Sequence, residues 1–169
     1  MRKLSDEEAK ELEDALAQNG FKFNTHEEAE TFFFAQRDRD LEDIATLNLT
    51  TVELDLNFKA KSLQRFEDFY FKCYVDKTLS AEFSKERMEE LLTQYMRQVF
   101  VSNEMAEWIV FENDFAEGQY ELGLMYGYGS GTMENYAEGL DKKEDNDNRT
   151  YLFEKFMLYV PQERENEIL

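Results

Sequence analysis

A chain of 169 residues with 42% hydrophobic and 15% aromatic side chains is long enough to enclose a core and short for two domains, which excludes wholesale disorder. Its 38 acids against 19 bases give a net charge of -19, well beyond the magnitude of about 2–8 that keeps a small domain soluble. A field of that sign repels nucleic acid and acidic membranes and draws cationic surfaces, so direct contact with either is not expected and the partner should be basic.

Ser5 followed by Glu8 forms a capping box, and Leu12, Ala15 and Leu16 recur at helical spacing until Asn19-Gly20 supplies a left-handed stop, which predicts a first helix. Thr25 and Glu28 repeat the pattern after Phe21-Lys22-Phe23, with Ala29, Phe32 and Phe33 on one face, so a second helix is expected to about Arg37. A third successive ring, Phe34, makes this run a candidate for extra buried contact, including one between two copies, although core packing explains two of the three. Leu41, Ile44 and Leu47 suggest a short third helix over 40–47. From Thr50 the period falls to two: Val52, Leu54, Leu56 and Phe58 alternate with polar residues. Phe69, Phe71, Cys73 and Val75 alternate again over 66–75, so two strands joined as a hairpin through 61–65 are expected.

Ser84 opens a helix whose Met88, Leu91, Leu92, Tyr95, Met96 and Val99 form a stripe wide enough to lie across a sheet. The run Trp108-Ile109-Val110-Phe111 fits helix or strand by periodicity, and a helix over 104–111 is the expectation. Tyr120, Leu122, Leu124, Tyr126 and Tyr128 alternate as a third strand, 133–140 reads as a short helix, 141–148 as a loop, and 149–160 as a last strand ended by Pro161. This order predicts an α+β fold with an antiparallel sheet of about four strands packed with helices. The chain is read as one domain over 1–169, with a helical N-terminal part at 1–48 and a last strand and tail at 149–169.

Charge is spread unevenly: residues 1–48 hold a net -7 and 102–148 a net -10, while 49–79 are neutral and read as scaffold. From Gln98 to Asp141 there is no Lys or Arg, yet the stretch carries Glu104, Glu107, Glu112, Asp114, Glu117, Glu121, Glu134, Glu138 and Asp141. Interleaved with them are Phe100, Trp108, Phe111, Phe115, Tyr120, Tyr126, Tyr128 and Tyr136. A disordered acidic tail lacks such rings. The expectation is an ordered negative surface that contacts a partner, with Tyr126 and Tyr128, and also Trp108 or Tyr136, as anchors. Acids one helical turn apart lie about 5–6 Å from each other, and alternate strand residues about 6.6 Å, so a rigid scaffold can present a phosphate-like row.

The residues of familiar active sites are missing. His26, the only histidine, sits at a helix start beside Glu27 and Glu28 and reads as a surface residue. One His and one Cys cannot supply the usual zinc set, and Cys73 reads as a buried thiol with no partner for a disulfide. Gly127 to Thr132 lacks the lysine of a phosphate loop, and the calcium-loop start at Asp145 fails at Arg149, Thr150 and Phe156. No catalytic residue, metal or cofactor is assigned, and an enzyme is not expected. No apolar run reaches signal-peptide or membrane-spanning length, so an intracellular site is expected.

In composition and charge layout the chain resembles the acidic DNA-mimic inhibitors that phages and mobile elements direct against restriction enzymes and CRISPR effectors. The base-free stretch 98–141, the acidic helix from Ser5 to Asp14 and a small, aromatic-rich chain with one proline carry the likeness. These families share no common motif, so no functional residue transfers. The resemblance implies stoichiometric inhibition in the cytoplasm of a bacterial host cell, by docking on the basic groove of a nuclease or its guide-RNA complex. An immunity protein that neutralises a nuclease toxin, and a phage structural or assembly protein, are the alternatives. Whether the -7 and -10 blocks share a face separates a decoy from a merely solvated charge.

Overall fold

In the computed structural model, which describes residues 4–51, 54–127, 129–131, 135–144 and 146–169, the local helix signals act as their chemistry demands. The Ser5 hydroxyl accepts from the Glu8 amide at 3.2 Å and the Glu8 carboxylate accepts from the Ser5 amide at 2.9 Å. Helix α1 accordingly spans Asp6–Gln18. The chain then turns through Gly20, whose φ of 67° and close approach to the Gln119 side chain both favour glycine. Gly20→Ala is expected to cost about 1 kcal/mol, read as a lower urea midpoint at unchanged slope.

Thr25 accepts from the Glu28 amide and opens α2, His26–Thr50. This helix does not stop near Arg37, and the separate helix expected over 40–47 is its second half. No Gly or Pro interrupts it, and the polar stretch that suggested a boundary is polar for a tertiary reason. Asp40 and Asp43 take Arg87 from another helix at 2.7 and 2.8 Å.

Of the strand expected over 50–58, Val52 and Glu53 lie outside the described residues, and the remainder is irregular, with positive φ at Asp55 and Phe58. Leu54 and Leu56 are buried, so their alternation marks two anchors of a turn and not a ladder. The expected hairpin partner is also corrected: 60–74 forms helix α3, Ala60–Tyr74. Leu63, Phe66, Tyr70 and Cys73 satisfy a helical period as well as the rings satisfy a period of two. The segment is apolar nearly all round because it is buried nearly all round.

Helix α4, Lys85–Ser102, is the expected central packing element, and Met88, Leu91, Leu92, Tyr95, Met96 and Val99 are each fully buried. Beyond it the helix expected over 104–111 is instead β1, Ala106–Glu112. Met105 donates to Phe100 O at 2.9 Å and Glu104 takes a positive φ, which ends α4 and reverses the chain. The β-branched and aromatic run then pairs antiparallel with β2, Tyr120–Tyr126, in the register Trp108 to Leu124 and Phe111 to Glu121. The short β3, Gly129–Gly131, completes a sheet of three described strands, ordered β1-β2-β3, in place of about four.

Of the helix expected over 133–140, Met133 and Glu134 lie outside the described residues; 135–139 form turns, followed by a 3-10 turn at Leu140–Lys142. The last strand expected over 149–160 is helix α5, Tyr151–Met157, followed by α6, Glu165–Ile168. The start of α5 is set by a residue far away in sequence. The fully buried Glu67 carboxylate of α3 accepts from the amides of Tyr151 and Leu152 at 3.0 and 3.1 Å, and from the Asn146 side chain at 3.1 Å.

Two apolar clusters result. The larger joins the C-terminal half of α2 with α3, α4, α5 and Leu124 of β2. The smaller packs Ala29 and Phe33 of α2 on Val110 and Tyr120 of the sheet, with Phe21, Phe23, Phe32 and Phe34 around them. All three successive rings are thus used within one chain. No helix among the described residues is long and apolar enough to cross a membrane.

Candidate acidic interface

The β1–β2 hairpin is mounted at both ends. At its base, the Asn103 side chain donates to Phe58 O and Val99 O at 2.8 and 2.7 Å, and Arg164 donates to Asn103 O at 2.9 Å. Along β1, His26 Nε2 donates to Val110 O at 2.7 Å and Trp108 Nε1 to Gln98 Oε1 at 2.9 Å. His26 is an exposed residue, as expected, yet it also ties α2 to the sheet. At the tip, Phe23 donates to Gly118 O at 2.8 Å, Tyr120 donates to Phe21 O at 3.3 Å, and Lys22 bridges Gln119. These bonds set the tip of the -10 block beside the segment linking α1 and α2.

The hairpin register decides which acids face water. With Ala106, Val110, Tyr120 and Leu124 buried against the helices, the opposite face carries Glu107, Ile109 and Phe111 of β1 and Glu121 and Met125 of β2, with Gly123 covered between the last two. Only one of the three β1 positions is acidic. Glu107 and Glu121 stand four residues apart in register, about 13 Å along the strands, with apolar side chains between them. The sheet therefore carries a mixed acidic and apolar face and no phosphate-spaced row.

The remaining candidates divide sharply. Glu104, Glu107 and Tyr126 come together with Val101, Met105 and Met125 around an open cleft of about 480 Å³ at the hairpin base. Tyr126 also packs edge-on to Phe100 and stacks on Tyr159, which makes it partly a core ring. Asp114, Glu117 and Glu112 are all exposed near the tip, and Glu112 also accepts from Gly118 at 2.7 Å and shapes its own loop. Glu138 is exposed on the separate 135–139 turn, whose Ala137 and Gly139 amides bond Thr93 and Glu89 of α4.

Asp141 is partly buried and paired: Lys85 Nζ lies at 2.8 Å and Tyr70 donates to it at 3.3 Å and to Glu89 at 2.7 Å. Burial works to raise its carboxyl, but the Lys85 ammonium outweighs that and holds it below the ordinary range. Its carboxylate is thus already paired within the chain. Glu134 and Tyr128 lie outside the described residues.

One side chain had been passed over among the rings of the stretch. Phe115 is 99% exposed at the hairpin tip, in a loop held by Phe115 N donating to Asn113 Oδ1 at 2.9 Å and by the Asn113 and Gln119 amides. Its local signal is a single ring between turn formers, Asn113-Asp114 before it and Glu117-Gly118 after it. Among the described residues no group of three or more His, Cys, Asp or Glu side chains is placed to hold a metal ion.

A family model described as "Uncharacterised protein YwmA" matches residues 22–160, from the loop before α2 to the end of α5 and its turn. The chain belongs to the YwmA family. The uncharacterized protein YwmA of Bacillus subtilis (strain 168) is similar to it, 26% identical over 121 residues that cover 70% of this chain and 76% of that relative. No solved structure matches the chain. The YwmA match contains the whole hairpin, its cleft and α2, while α1 lies before its first residue.

Proposed function

We propose that this YwmA-family protein is a stoichiometric, non-enzymatic inhibitor that covers the basic nucleic-acid groove of a partner such as a CRISPR effector or restriction nuclease. The observation that supports this reading is the outward hairpin face, where the carboxylates of Glu107 and Glu121 stand among Ile109, Phe111 and Met125 and lead to Asp114, Phe115 and Glu117. The acids meet the lysines and arginines of the groove, and the apolar side chains form dry contacts beside them. Affinity drawn from both kinds of contact falls less steeply with salt than the affinity of DNA for the same groove. An immunity protein for a nuclease toxin uses a face of the same chemistry, and the exposed Phe115 favours that second reading, because an apolar anchor binds through salt.

Titration of the protein into DNA complexes of a panel of such nucleases, at two salt concentrations, tests the proposal. Release of DNA at one inhibitor per enzyme is expected. Glu107→Lys with Glu121→Lys should weaken it about tenfold or more, and Phe115→Ala about tenfold. Absence of release from every member of the panel would sink the inhibitor reading, and binding to a nuclease toxin in its place would establish the immunity one.

A further inference from the structure

We infer that the groove between α1 and α2 is a docking site for a basic amphipathic helix of a partner protein. The groove encloses about 1110 Å³, and its floor is apolar: Leu12 and Leu16 of α1 face Phe23, Phe32 and Ala35. Six carboxylates against two cations line it, with Asp6 and Glu13 on one wall and Glu27, Glu28, Asp38 and Glu42 on the other. An apolar strip between acidic walls complements a helix with one apolar stripe flanked by lysines or arginines.

The dimensions agree. A helix about 10 Å across and rising 1.5 Å per residue occupies roughly 120 Å³ per residue, so the groove takes about nine residues, or two and a half turns. Two turns present anchors at i, i+3, i+4 and i+7, the number that the floor residues can receive. The wall formed by α1 is tied to α2 by Glu13 Oε1 accepting from Gln36 Nε2 at 2.8 Å, and Leu12 remains 41% exposed. The site shares none of its residues with the outward hairpin face, so it stands or falls separately from the inhibitor reading.

The test uses the full chain and a fluorescent leucine/lysine amphipathic helix of about four turns, with a scrambled peptide of the same composition as control. The helix is expected to bind at least about tenfold more tightly than the scrambled peptide. Leu12→Lys should lower affinity about tenfold, and Glu27→Lys, at an exposed rim position, by a smaller factor. Amide exchange should show protection over 6–18 and 26–42. Equal binding of the scrambled peptide overturns the proposal, as does protection confined to 106–126, which assigns the peptide to the hairpin and leaves the inhibitor reading standing. A concentration-dependent dimer that protects the same α1 and α2 amides without peptide overturns it in favour of a second copy.

Discussion

Glu67→Ala is expected to destabilise the protein by about 3 kcal/mol at about pH 5, measured by urea unfolding. The loss has two sources. The Leu152 amide at the start of α5 and the Asn146 side chain lose their acceptor, and the Tyr151 amide keeps only Asn146 Oδ1, in a site the substitution does not open to water. The removed carboxyethyl group also leaves a void where Glu67 is fully buried.

The same residue gives stability a pH dependence of definite sign. Burial pushes the Glu67 carboxyl up to about 7 against the pull of its N–H donors and with some help from Glu154. The folded chain therefore holds this proton more tightly than the unfolded chain. Its contribution is fully present below the ordinary carboxyl value of 4.5 and is lost as pH rises to about 7, a fall of about 3 kcal/mol. Glu67→Gln removes that slope, and subtracting its stability curve from the wild-type curve isolates this one group, because every other carboxylate is common to both. A difference independent of pH would show that Glu67 is already ionised in the fold. For Glu67→Ala the cost narrows toward alkaline pH, where the wild type itself carries a buried charge.

Arg87→Met should cost about 3 kcal/mol. The Arg87 guanidinium bonds Asp40 and Asp43 of α2 at 2.7 and 2.8 Å and Glu90 at 3.1 Å. Burial lowers its pKa, but the carboxylates outweigh burial and hold it above the ordinary value. Asp43 is partly and Glu90 largely exposed, and both contribute little, as screened pairs do. Asp40 is different: it is 7% exposed, and without Arg87 it faces a desolvated carboxylate with its bonded cation gone. Neutralising that carboxylate as well tests the cause. Asp40→Asn in the Arg87→Met background is expected to recover about half of the loss, as a double-mutant cycle in urea reads directly. Additive losses would place the effect in packing of the arginine stem.

The two sites explain where sequence reading succeeded and failed. Helix starts at Ser5, Thr25 and Ser84 were legible because each cap accepts from an amide three residues on, an arrangement complete within one turn of chain. The stripe of α4 was legible because a single apolar face over eighteen residues fits one period only. The alternation of β2 was legible because Tyr120, Leu122, Leu124 and Tyr126 all fall on the face packed against the helices. The α+β class and the uniform negative charge of 98–141 followed from these and from composition alone.

The rest required the tertiary structure. Rings on every side of α3 satisfy two periods at once, and only burial on all sides distinguishes them. Helix α5 has no cap from Thr150; its first amides bond a carboxylate more than eighty residues earlier, with Asn146 as the one local acceptor. The polar stretch 36–43 lies inside α2, where Asp40 and Asp43 pair with an arginine two helices later. The acids of the candidate interface were all visible as letters, but whether each meets solvent, its own loop or a lysine depends on strand register and on which helix lies behind. That is why Glu107 and Glu121 stand outward, Glu112 folds back on Gly118, and Asp141 pairs with Lys85. Composition determined the sign of the surface, and the pairing of β1 with β2 decided its pattern, because a side chain's direction on a strand is set by its register with the neighbouring strand.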